Sequence, residues 1–189
     1  MTASDKDMAL AKLRAHLPNA DERLFAFFAA WVDARGDALV PARKAFSPVT
    51  IPELLSFIWI YKFDPEQDDF ICQLAGETVN DAWGKSIRGR RLREIVGEKD
   101  FPTVRTRWAT IVGRPAALYG TVEEKLAFQA TWQAERLLLP MSSEDGTIDV
   151  IIGLSLYTLQ RRATDEKLGV SGRTMHFPCT DFRPCSVSC

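Results

Sequence analysis

Histidine, cysteine and net charge are all scarce in this chain, and each shortage narrows what it can do. Of 189 residues, 24 are Lys or Arg and 25 are Asp or Glu, a formal charge of -1 at pH 7. That balance sets up no overall field to draw in nucleic acid or an anionic membrane, so neither is expected as a partner. No apolar run reaches the ~18 residues of a membrane helix. The most hydrophobic early stretch, Leu24 to Val32, follows Asp5, Asp7, Asp21 and Glu22, where a signal peptide would need positive charge. Cytoplasmic residence is the expectation. Cys72 falls within a predicted strand and Cys179, Cys185 and Cys189 crowd the last residues, whereas a secreted disulfide framework spreads its cysteines through the fold. Phosphate-loop, nucleophile and helical metal motifs are missing too.

What remains is an ordinary globular composition, 46% apolar and 26% charged, in a chain long enough to close a core without staples. Residues 136–157 are its most informative segment. Leu137, Leu138 and Leu139 run to Pro140, which cannot donate to a ladder and is expected to end a strand. Ser142 to Gly146 carry turn chemistry. Ile148, Val150, Ile152, Leu154 and Leu156 then alternate with Asp149, Ile151, Gly153, Ser155 and Tyr157. The second set is half apolar, so a sheet covered on both faces is expected.

Upstream, a short helix is predicted from Asp5 to His16. A second is capped by Asp21, carries the stripe Leu24, Phe27, Phe28 and Trp31, and stops at Gly36. Two strands follow, around Ile58 to Ile60 and from Phe70 to Ala75. Short helical patterns run from Glu77 to Val112, with Gly113 as terminator, and three strands follow at about 115–122, 126–139 and 147–159. Strands interrupted once by helices indicate an antiparallel α+β sheet. The expected organisation is an N-terminal segment 1–23, a domain 24–159 and a C-terminal tail 160–189.

Two stretches carry a family likeness. Pro41, Ala42, Arg43, Ile51, Pro52, Leu54 and Leu55 approach the first strand. Leu74 and Gly76 end the second, Gly84 and Gly89 link the small helices, and Arg136 and Pro140 close a later strand. Over about 24–159 the chain resembles a bacterial PAS-like family in these motifs. It departs at Gln73, where members often carry a basic residue, so ligand charge does not carry over. The resemblance implies a five-stranded antiparallel sheet with short helices on one face, a cavity between them, and the N-terminal helix on the other face. It also implies a stand-alone sensory or protein-interaction role.

Within that frame, Cys72, Trp83, Trp108, Trp132, Arg136, Ile152 and Leu154 are the candidate ligand-binding residues. Arg136 shares its alternation with Trp132, Ala134 and Leu138; if they face inward its guanidinium enters the cavity, and in the opposite register Glu135 does. A charge beside an apolar strand end commonly snorkels outward into an ion pair, which is the favoured expectation. The basic run Lys85, Arg88, Arg90, Arg91 and Arg93 could converge on an anion, but a solvated surface is favoured. Flavin photosensors of this fold need a cysteine in an Asn-Cys-Arg helix, and Cys72 sits in Ile-Cys-Gln on a strand. Haem sensors need a histidine on the long helix; His16 and His176 lie elsewhere. The cofactor therefore stays unknown. His176 with the three terminal cysteines lacks the close cysteine pair of a zinc knuckle, so free thiols are favoured over a metal site.

The expected function is a module that binds a small molecule and signals by contact with a protein partner, without catalysis. The rivals are a ligand-free scaffold, its cavity filled by tryptophans, and a small enzyme. Phe25, Phe28, Trp31 and Val32 give the second helix more apolar width than one sheet contact should bury, so a homodimer through it is expected. The competing possibility is that residues 1–20 or the C-terminal tail fold back over this patch.

Overall fold

Asp21 caps the apolar helix as expected, its carboxylate accepting from the Arg23 amide at 2.9 Å. In the computed structural model, which describes residues 3–125, 131–159 and 174–183, α1 (Ala3–His16) and α2 (Glu22–Arg35) lead the chain. They are followed by β1 (Ile58–Asp64), β2 (Asp69–Ala75), α3 (Glu77–Trp83) and α4 (Leu92–Gly113). Then come β3 (Ala116–Lys125), β4 (Thr131–Ser142), β5 (Ile148–Leu159) and β6 (Thr174–Pro178). The six strands make one sheet in the order β2-β1-β5-β4-β3-β6, antiparallel throughout. This is the expected α+β architecture with one strand more than expected.

The β4–β5 hairpin turns where its chemistry indicates. Ser143 donates to the Thr147 carbonyl at 2.8 Å, and Gly146 takes the positive φ of 85° that the turn needs. Pro140, however, does not end β4, which runs on to Ser142. Pairing with β3 extends only as far as Leu118 and Leu138. Beyond it Ser142 exchanges bonds with the Pro41 carbonyl at 3.0 Å and the Arg43 amide at 2.8 Å. The missing N–H of Pro140 thus falls between two pairing partners and costs no ladder bond there. The early half of the predicted strand at 126–139 includes 126–130, which lie outside the described residues.

Both faces of the sheet are buried. On one, Phe27, Phe28 and Trp31 of α2 pack on Ile60, Leu139 and Ile152, and Trp31 Nε1 donates to the Pro140 carbonyl at 2.9 Å. On the other, Trp59, Phe70 and Ile151 pack with Leu92, Trp108 and Ile111 of α4. Among the described residues no helix is long and apolar enough to cross a membrane.

The C-terminal region corrects the sequence reading. Thr174–Pro178 is a strand on the outer edge of β3, and Cys179–Phe182 form a 3-10 turn against α2. Phe182 meets Phe28 edge-on at 4.9 Å, and Arg35 donates to the Phe182 carbonyl at 2.5 Å. Residues 174–183 therefore belong to the fold and are not tail. Phe25, Phe28, Trp31 and Val32 are at most 3% exposed, covered by α1, the sheet and this returning segment. The exposed apolar face from which the homodimer was inferred does not exist; the alternative, fold-back within the chain, accounts for the apolar width.

Candidate functional site

Alternation along β1 turns Ile58 and Ile60 toward α2 and Trp59 and Tyr61 toward α4. Trp59 stands opposite Gly153 of β5. A Cβ on Gly153 would lie 2.1 Å from the indole of Trp59, so only glycine lets that ring lie against the strand. There Trp59 Nε1 donates to Ser155 Oγ at 2.7 Å. The indole stacks on Trp108 of α4, ring centres 5.1 Å apart and planes 9° from parallel, and Tyr61 meets Trp108 edge-on at 4.9 Å.

Two local devices bring the helical wall over this floor. Asn80 of α3 donates to the Ala75 carbonyl and accepts from the Ile87 amide at 3.0 Å, which pins the following link and buries Ile87. Gly97, at φ 80°, breaks α4, so Leu92 and Ile95 before the break and Trp108 after it converge on the sheet. Between helices and sheet lies a pocket enclosing about 60 Å³, within about 410 Å³ of empty space that counts its open mouth. Its aromatic walls are Trp59, Tyr61, Trp83, Trp108 and Tyr157, and Val79, Ile87, Leu92, Ile95 and Val96 supply the aliphatic ones. Ser155 and Arg136 complete the lining. Arg136 Nε donates to Ser155 Oγ at 3.1 Å, and its guanidinium sits 5.6 Å from the Tyr157 ring.

A sheet in this order, with small helices closing a pocket on one face, is the arrangement the sequence motifs implied. A family model described as PAS domain (PAS_5) matches residues 20–156. The chain belongs to the PAS domain family. Among solved structures, the LOV protein of Rhodobacter sphaeroides is 13% identical, covers 59% of this chain and 68% of its own, with a TM-score of 0.43. The LOV domain of the Erythrobacter litoralis EL346 blue-light activated histidine kinase is 21% identical, over 55% of this chain and 95% of its own, with a TM-score of 0.43. Comparison with curated proteins finds no match.

The PAS domain brings some of the expected residues together and separates others. Trp83, Trp108 and Arg136 line the pocket. Arg136 faces inward, correcting the favoured outward reading; Glu135 takes the other face, accepting from Tyr119 Oη at 2.8 Å and the Asp21 amide at 3.3 Å. Trp132 stands beside the lining, its ring 6.5 Å from that of Tyr157. Cys72 is buried in the same core without lining the pocket. Ile152 and Leu154 lie on the opposite face, under α2. The more apolar face of β5 went to the helices because two helices offer more area to bury, leaving the face with Gly153, Ser155 and Tyr157 for the pocket. Trp59, Tyr61, Ser155 and Tyr157 were missed as site residues. Their signal was present: aromatic rings with polar tips, and a serine, alternating through otherwise apolar strands.

The residues do not suit the cofactors of related folds. One buried water needs roughly 10–15 Å³ of such enclosed space, so the pocket holds about four or five waters, far less than a three-ring flavin. The Cys72 thiol donates to the Leu74 carbonyl at 3.3 Å, and burial pushes it up to about 11. Burial likewise raises the Tyr61 phenol well above its ordinary range, with Cys72 adding to the effect. Among the described residues no cluster of metal ligands occurs; Cys185 and Cys189 lie outside them, and Cys179 is buried. The basic run is tied up in part, Arg91 to Asp64 at 3.0 Å, Arg93 to Glu98 at 3.5 Å and Arg90 to Glu94 at 3.8 Å.

The two buried thiols make a pH prediction. Burial pushes Cys72 up to about 11 and Cys179 up to about 12, from an ordinary 9.0. The folded chain holds these protons where the unfolded chain releases them, so stability is intact below pH 9 and falls between 9 and 12. Urea midpoints measured across that window should decline, and less steeply in a Cys72→Ala, Cys179→Ala variant. A thiol reagent at pH 8 should leave both groups unmodified until denaturant is added.

Proposed function

We propose that this PAS domain is a sensory module that takes a small molecule into the pocket between β1, β5 and the α3–α4 side, and passes the change to another protein by contact. The supporting observation is the pocket itself: an aromatic and aliphatic lining with a few convergent polar groups, the usual make-up of a ligand site. The strands that carry it also provide a way out. Ser155 and Tyr157 face the pocket while their neighbours Ile152, Leu154 and Leu156 pack under α1 and α2, so a shift of β5 is felt on the helical surface.

Binding without turnover is the reading. Native mass spectrometry of the purified chain should show a small non-covalent adduct that is lost on denaturation, and its removal should change tryptophan emission. A second reading, a scaffold with no ligand, draws on the Trp59–Trp108 stack that already occupies much of the interior. An adduct-free chain whose tryptophan emission ignores a metabolite extract would favour that scaffold, and conversion of an added compound would favour an enzyme.

A further inference from the structure

We propose that the ligand is a compact aromatic monocarboxylate, its ring among Trp83, Trp108 and Tyr61 and its carboxylate at Arg136, Ser155 and Tyr157. This rests on the pocket being a ligand site. Room for about four or five waters is the bulk of a single-ring molecule. The walls that would meet a ring are indole, phenol and aliphatic surfaces, suited to stacked and edge-on contacts.

The polar end specifies the charge. No Asp or Glu lines the pocket, and Arg136 is the cation among the lining residues. Ser155 Oγ accepts from both Trp59 Nε1 and Arg136 Nε, at 2.7 and 3.1 Å, so the proton it has left is one to give. Tyr157 Oη accepts from Arg136 Nη2 at 3.4 Å and is in the same position. Beside them, Trp132 Nε1 is a buried donor with no hydrogen-bond partner. Guanidinium, two hydroxyl protons and an indole N–H form a set that presents donors, and an ionised carboxylate is a group that only accepts. A neutral amide would set its own NH2 donors against this array.

The test is titration of the full-length chain, stripped of any adduct, with benzoate, 4-hydroxybenzoate and nicotinate against their matched amides, followed by calorimetry and tryptophan emission. At least one acid should bind at least tenfold tighter than its amide. Arg136→Gln should weaken that acid tenfold or more, Arg136→Lys should restore part of the loss, and Tyr157→Phe should weaken it several-fold. The last variant keeps the ring and the fold, so it decides the matter if Arg136→Gln does not fold. Amides binding as well as acids, or acid affinity indifferent to both residues, would overturn the assignment. A neutral co-purified adduct would sink the carboxylate while leaving the pocket a ligand site. Silence from all probes together with an adduct-free chain would sink both.

Discussion

Replacing Gly153 with valine should unseat Trp59 and remove the pocket in one step. Even a single Cβ at this position meets three atoms of the Trp59 indole at 2.1–2.5 Å, and both strands are held on either side, β1 by β2 and β5 by β4. The backbone cannot retreat, so the indole must. It then loses its bond to Ser155 and its stack on Trp108. Overpacking costs about 1–3 kcal/mol, the hydrogen bond about 1 and the aromatic stack about 1, which together make roughly 3–5 kcal/mol. That is a large share of the ~5–15 kcal/mol that holds a domain together. Gly113→Ala, where an added Cβ meets nothing within 4 Å, is the matching control and should be close to neutral. Urea denaturation measures the loss, and near-ultraviolet circular dichroism reads whether the tryptophan stack has gone. A Gly153→Val chain with wild-type stability and an intact aromatic signal would show that the indole has room to move.

Removing the two C-terminal phenylalanines should be about as damaging. Phe177 and Phe182 are 6% and 2% exposed; Phe182 packs on Phe28, and Phe177 lies 5.1 Å from the His16 ring. A buried phenylalanine cut to alanine typically costs about 3–5 kcal/mol, less where the neighbours collapse into the gap. Phe177→Ala with Phe182→Ala is therefore expected to lower the unfolding midpoint sharply. Ending the chain after Leu159 should go further, baring the outer edge of β3 and the Phe28 surface of α2 together. Light scattering of that truncated chain should report self-association at tens of micromolar, while the full chain stays dispersed. His176→Ala, exposed on the same strand, should change stability by less than about 0.5 kcal/mol. If the truncated chain matched the full one in stability and dispersion, residues 174–183 would be an ornament on a self-sufficient domain.

The line between what was legible in the sequence and what was not runs through single residues. Asp21 as cap, Gly146 at a positive-φ turn and the alternation of β5 were all readable, because caps, turns and strand period are set within a few residues of the chain. The strand–helix–strand order followed from the same local signals, and with the motif likeness it pointed to the PAS fold. Which face of β5 would hold the pocket was not readable. Both faces are apolar enough to bury, and the choice depended on where α1 and α2 found the larger surface. Pro140 inside a strand, the inward Arg136 and the return of residues 174–183 share that character. Each is decided by a partner distant in sequence: the 41–43 segment for Pro140, Ser155 and Tyr157 for Arg136, the bare β3 edge and Phe28 for the C-terminal segment. Local chemistry determined the elements of this protein. Only long-range packing, which pairs groups tens of residues apart, decided which surfaces meet and which one stays open.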